Sequence, residues 1–378
     1  MQRFFNSAWY RGFLLCCAYV VVAAAVMNGF YTKWRLNDGH FALGLTQMVD
    51  GTAYRPYVYR QFVPALANGI QALLPPATVT RVSDRLAEPR RVNSRSGLAM
   101  RYPGSEALSP AVTLRYHLVY YLTFAALLTS LFVMRRVALQ AGAGAVAATA
   151  APALLGLLVP FFLTEGGFFY DFVELMFIMS AVLLALGASR QTPVRLCVLV
   201  VLAGLATWNK EAFFFFTPAL YPLLRRNLPR LQAAGLVGVL LLVCGCVYLT
   251  LRMRYAGNPG TTVDYQLWDN LRFYLDPGNW VRTENTYGVL LPRGFSVVSI
   301  LAFAGIAING WTRLPLALRQ HAQIAMIINV PLFLLFCSPG EMRNLSMLYP
   351  SFLCLLALAL AKWLAPHAPC QTAARPSV

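Results

Sequence analysis

LQAAGLVGVLLLVCGCVYLTL, residues Leu231–Leu251, runs from Arg230 to Arg252 without one charged side chain. At about 1.5 Å per helical residue, a run of this size crosses a hydrocarbon core of about 30 Å. Gly12–Phe30, Leu114–Met134 and Leu345–Leu364 repeat the pattern. Of the 378 residues 58% are hydrophobic and only 12% charged, about half the charged fraction of an ordinary globular chain. A soluble protein is excluded, and the expected fold is all-α: a polytopic membrane protein with about 10 transmembrane helices.

The ten segments fall near 12–30, 113–134, 142–163, 168–188, 194–208, 212–224, 231–251, 295–311, 321–337 and 345–364. An even count returns both termini to one side. The net charge of +17 lies between these segments rather than on a soluble surface, so nucleic acid is not the expected partner. Arg3, Arg11, Arg135, Arg136, Arg190, Arg195, Arg225, Arg226, Arg230, Arg313, Arg319, Lys362 and Arg375 lie in short segments free of acids, which marks them as cytoplasmic. All fourteen acids then fall on or near the opposite face. The apolar run after Arg11 is not followed by a small-x-small cleavage pattern and reads as an uncleaved first span.

One membrane domain, 1–366, is expected, with extracytoplasmic loops at 31–112 and 252–294 and a disordered cytoplasmic tail at 367–378. Asp38–Asp50 and Arg60–Leu74 carry apolar residues at helical spacing and read as amphipathic helices at the membrane surface. Charged, Pro- and Gly-containing 81–110 reads as a mobile insertion. Aromatic-rich 252–294 reads as a loop touching the interface or a ligand. Of the eight cysteines, all but Cys370 lie inside expected spans, where they read as small packing residues.

The fifth and sixth segments are too short to cross a full core, so their shared turn Trp208-Asn209-Lys210-Glu211 must sit deep. A charge held there normally faces protein or a water-filled cavity, which makes Lys210 and Glu211 candidates for binding. Asp38, in Asn37-Asp38-Gly39-His40, reads either as a general base or as the cap of the first amphipathic helix. Tyr59 and Arg60, in Tyr54–Phe62, read as a phosphate grip with stacking phenols or as interfacial anchors. Glu165 and Asp171 flank a turn, and Glu174 shares a helix face with Asp171; they line a polar cavity or pair with Lys210 or an Arg. Glu341 and Arg343, before the last span, read as ligand contacts or as an ion pair. No Walker-type loop, GxSxG or HExxH is present.

An acid just after the first span, an amphipathic first outer loop, a Lys-Glu turn in mid-chain and an Arg-bearing turn before the last span resemble, as an architecture, the GT-C superfamily of membrane glycosyltransferases. That resemblance implies transfer of a sugar from a polyprenyl-phosphate-linked donor to an extracytoplasmic glycan or lipid acceptor, among membrane lipids. It implies Asp38 as the residue that activates the acceptor hydroxyl, with Lys210, Arg343 and Arg60 holding the departing phosphate. Many relatives carry two adjacent acids in the first loop, whereas the acid following Asp38 here is Asp50, which leaves Asp50 as the other candidate base. No cofactor is called for, and the need for a divalent cation is left open. A transporter or flippase of a lipid-linked or anionic glycan and a non-catalytic polysaccharide-assembly subunit are the alternatives. The Arg-rich, lysine-poor composition points to a GC-rich bacterium, and so to an inner membrane with the active face toward the periplasm.

Overall fold

A computed structural model describes residues 8–87, 105–189 and 193–365. These are predominantly helical, and six helices are long and apolar enough to cross a membrane. The chain begins with α1 (Ala8–Trp34), then α2 (Leu45–Val49), α3 (Phe62–Ala72) and α4 (Pro76–Ala87). There follow α5 (Thr113–Gln140), α6 (Ala145–Phe162), α7 (Phe169–Leu186), α8 (Pro193–Asn209), α9 (Ala212–Phe216), α10 (Tyr221–Arg225) and α11 (Arg230–Arg254). The last part holds α12 (Leu267–Leu275), the strands β1 (Thr283–Thr286) and β2 (Val289–Pro292), then α13 (Val297–Gly310), α14 (Leu316–Phe336) and α15 (Tyr349–Trp363).

Helices α5 and α7 pack along each other, and α1, α6 and α15 close around them. Their shared core is aromatic: Tyr19, Phe30, Tyr116, Phe169, Tyr170 and Phe172 are fully buried, with the Phe30 and Phe172 rings edge to face at 5.1 Å. The outward faces are apolar too. Leu231, Val239, Leu242, Leu249 and Met253 on α11, and Val298, Leu301 and Ile308 on α13, are exposed. A helix that is apolar all round is at home in hydrocarbon, not in water.

Several expectations are corrected. The helix expected over Asp38–Asp50 is only the short α2, because Asn37 and Gly39 adopt left-handed backbone at φ 59° and 72° and a helix cannot start between them. Asp38 is therefore not a helix cap. The stretch 81–110 is not wholly irregular: 81–87 continue α4, and Glu106–Leu108 form a single tight turn. Residues 88–104 of that insertion, and the tail at 367–378, lie outside the described residues. The segment 212–224 is three consecutive helical pieces, with Pro218 and Pro222 at the junctions. The 252–294 loop contains α12 and a hairpin pairing Thr283 with Pro292 and Thr286 with Val289.

Candidate functional site: a cation-lined cavity

The site is assembled at the ends of helices. Asp171 and Glu174 sit in the first two turns of α7, Lys210 and Glu211 follow the end of α8, and Arg343 precedes α15 in the tight 3₁₀ segment Met342–Leu348. Glycines let these ends meet. A side chain at Gly167 would stand 2.6 Å from the Trp34 ring, and Gly340 holds φ at +85° against Glu165. In either place a Cβ would push the turns apart.

Lys210 is buried and saturated. Its Nζ donates to Glu174 Oε2 at 2.6 Å, Asn344 Oδ1 at 3.1 Å and Asp171 Oδ1 at 3.2 Å. The other Glu174 oxygen accepts from Ser346 Oγ at 2.7 Å. Arg343 reaches the same Asp171 with Nη1, at 3.1 and 3.2 Å, and Glu341 Oε1 with Nη2 at 2.9 Å. Its guanidinium lies 4.8 Å from the Phe168 ring centre. Arg60, in the turn before α3, donates to the Tyr170 hydroxyl and to Glu211 Oε1 at 3.0 Å. Burial alone would raise the Glu211 carboxyl, but the Arg60 guanidinium overrides it and holds the group below the ordinary carboxylate range.

Arg60, Lys210 and Arg343 all face one cavity of about 390 Å³. Glu211, Glu341 and Asp264 share its wall, Asn344 and Ser338 add polar atoms, and Phe215, Leu332, Phe333, Phe336 and Met347 supply an apolar side. Asp171 and Glu174 stand behind the cations and off the wall, where they fix the direction of Lys210 and Arg343. Three cations and three acids share this wall beside an apolar side, an arrangement that suits an amphipathic polar ligand.

The other expected residues lie elsewhere. Asp38 accepts from Ser105 Oγ at 2.6 Å and from Tyr116 Oη at 2.9 Å, and Tyr116 in turn meets Tyr31 Oη at 2.8 Å. It does not line the cavity, and its neighbour Asn37 ties it to the Gly167 carbonyl at 3.2 Å. Asp50 pairs with Arg115 at 2.6 Å on the surface. Glu165 pairs with Arg293 at 2.7 Å. Tyr59 is buried in the core, while Tyr57 takes the place on the cavity wall.

Sequence reasoning passed over Tyr170, Ser346, Asn344 and Asp264. Asn344 and Tyr170 are the chain neighbours of Arg343 and Asp171, but nothing in their spacing shows which ion each would meet. Among the described residues, no group of three or more His, Cys, Asp or Glu is placed to hold a metal ion. The chain matches no family model, no curated protein and no solved structure.

Proposed function

We propose that this chain is a membrane glycosyltransferase that moves a sugar from a polyprenyl-phosphate-linked donor to an extracytoplasmic glycan or lipid acceptor. The observation that carries the reading is the convergence of Arg60, Lys210 and Arg343 on one cavity with an apolar side. An inverting displacement at the anomeric carbon needs charge stabilisation of the departing phosphate, which preorganised cations supply best where water is scarce. Asp171 and Glu174 preorganise two of the three. The phosphate lies against Arg60 and Arg343, whose buried Nε groups have no partner among the described residues, with the charge of Lys210 behind them; the carrier's first isoprene units lie along Phe333, Phe336 and Met347, and the sugar points toward the cavity mouth.

Six long apolar helices, together with α8, α13, α14 and the broken 212–225 segment, support ten crossings with both termini in the cytoplasm. In that topology the ends carrying Asp171, Lys210 and Arg343 share the extracytoplasmic side, and the membrane is a bacterial inner membrane. The acids gather at one end of the helices rather than through both leaflets, which favours a one-sided active site over alternating access.

The test is binding. Purified protein in nanodiscs should take up undecaprenyl phosphate in preference to undecaprenol, with a preference that weakens as salt is raised. Equal uptake of the two lipids would remove the basis for the reading.

A further inference from the structure

If the cavity performs that transfer, it needs a carboxylate that can take the acceptor's proton, and neither acid implied by the resemblance faces it. Asp38 is engaged by Ser105 and Tyr116, and Asp50 by Arg115. The wall itself holds three acids among the described residues: Glu211, Glu341 and Asp264. Glu211 is committed to Arg60 and Glu341 to Arg343, so protonating either would release a cation from the phosphate-binding set. Asp264 has no ion pair among the described residues. Its Oδ1 accepts from the Thr261 hydroxyl at 2.7 Å, and its side chain is exposed.

The loop that presents Asp264 is pinned on both sides. Arg55 donates from its backbone to the Pro259 carbonyl at 2.8 Å and from its guanidinium to the Gly260 carbonyl at 2.7 Å. Asn258 donates to the carbonyls of Gly51 and Ala53 at 2.9 and 3.0 Å. Beyond the acid, Gln266 N donates to the Leu335 carbonyl at 2.8 Å, and Asn270 caps the end of α14 through the carbonyls of Leu334 and Cys337. Asp264 is thereby held on the cavity wall, and it differs from the cations in exposure: Lys210 and Arg343 are buried, and Asp264 is exposed.

We propose that Asp264 is the catalytic base. This rests on the transferase reading. The acceptor hydroxyl oxygen forms its bond to the anomeric carbon while its proton passes to the Asp264 carboxylate. The bond from the anomeric carbon to the phosphate oxygen breaks, and its electron pair leaves with polyprenyl phosphate, facing Arg60 and Arg343. The proton on Asp264 then exchanges with the water at the mouth. An exposed base meets a water-borne hydroxyl, and buried cations meet a membrane-anchored phosphate, so the two parts of the wall fit the two substrates.

The experiment uses membranes from cells lacking the protein, which supply their own donor and acceptor, with purified full-length protein reconstituted into them. The initial rate at which a missing sugar unit appears is followed by mass spectrometry. Asp264→Asn should lower that rate about a hundredfold or more, Asp264→Glu should restore a large part of it, and Asp269→Asn, an exposed acid off the cavity wall, should match wild type. Thermal melting checks that Asp264→Asn is folded. A rate for Asp264→Asn within threefold of wild type overturns the assignment and leaves the transferase reading standing. Failure of wild-type protein to add any sugar overturns the transferase reading itself, and the base with it.

Discussion

Asp171 and Arg343 lie 172 positions apart in the chain and meet at 3.1 and 3.2 Å, joining the start of α7 to the segment that leads into α15. Between them they fix the back of the cavity. Arg343 cannot leave without uncovering a buried carboxylate, and so its direction toward the cavity is set before any ligand arrives. The same logic covers Lys210, held by Glu174 and Asp171 together.

Lys210→Met should destabilise the protein by about 3–5 kcal/mol, because Glu174 is then buried without a cation. Adding Glu174→Gln should recover a large part of that loss, since the amide can still pair with Ser346. Thermal or denaturant melts in matched detergent compare the single and double variants. Equal losses in the two would show that the pair is not coupled.

Ser346→Ala removes the hydroxyl that donates to Glu174 Oε1 at 2.7 Å and leaves that oxygen buried without it. A cost of about 1–3 kcal/mol is expected. Ser346→Thr, which keeps the donor, should cost less. The order of the two melting midpoints decides the matter.

Replacing Arg60 and Glu211 together, as Arg60→Met with Glu211→Leu, removes a part-buried pair without leaving one charge alone. Stability should fall by about 1–3 kcal/mol, the cost of leaving the buried Tyr170 hydroxyl without the Arg60 donor, while affinity for undecaprenyl phosphate should fall about tenfold for the loss of one charged contact. An unchanged affinity would take Arg60 out of the phosphate set.

The Arg60–Glu211 pair also sets a pH window. The folded-state Glu211 carboxyl lies below its ordinary value, so its contribution to stability is complete above the unfolded-state range of about pH 4.3 and is lost as pH falls through the lower folded value. Wild-type protein should lose stability on acidification below that range more steeply than the Arg60→Met, Glu211→Leu variant. Parallel acid melts of the two would contradict this.

The membrane-spanning architecture was legible because an uncharged run such as Leu231–Leu251 has one physical use. Lys210 and Arg343 were legible as candidates for a related reason: a charge beside such runs is costly and must meet a partner or a cavity. What could not be read was pairing across the bundle. Asp171 and Glu174 share a helix face whether they line a cavity or stand behind it, and only the approach of α15 decides. The surroundings of Asp38 were hidden for a local reason. Its acid-after-span position suggests a base, but the left-handed turns at Asn37 and Gly39 aim it at Ser105 and Tyr116, which follow a stretch with no periodic pattern. Asp264 was silent in the sequence, since nothing in Thr261–Gln266 marks a loop that folds back over a cavity.

The most direct test is the mass of envelope glycans and glycolipids from cells lacking the protein, with and without the wild-type chain restored at normal abundance. The account requires a deficit equal to one sugar residue, filled when the wild-type chain returns. Glycans of unchanged mass, or a complete lipid-linked glycan that accumulates with no sugar missing, would contradict it and point to transport or assembly.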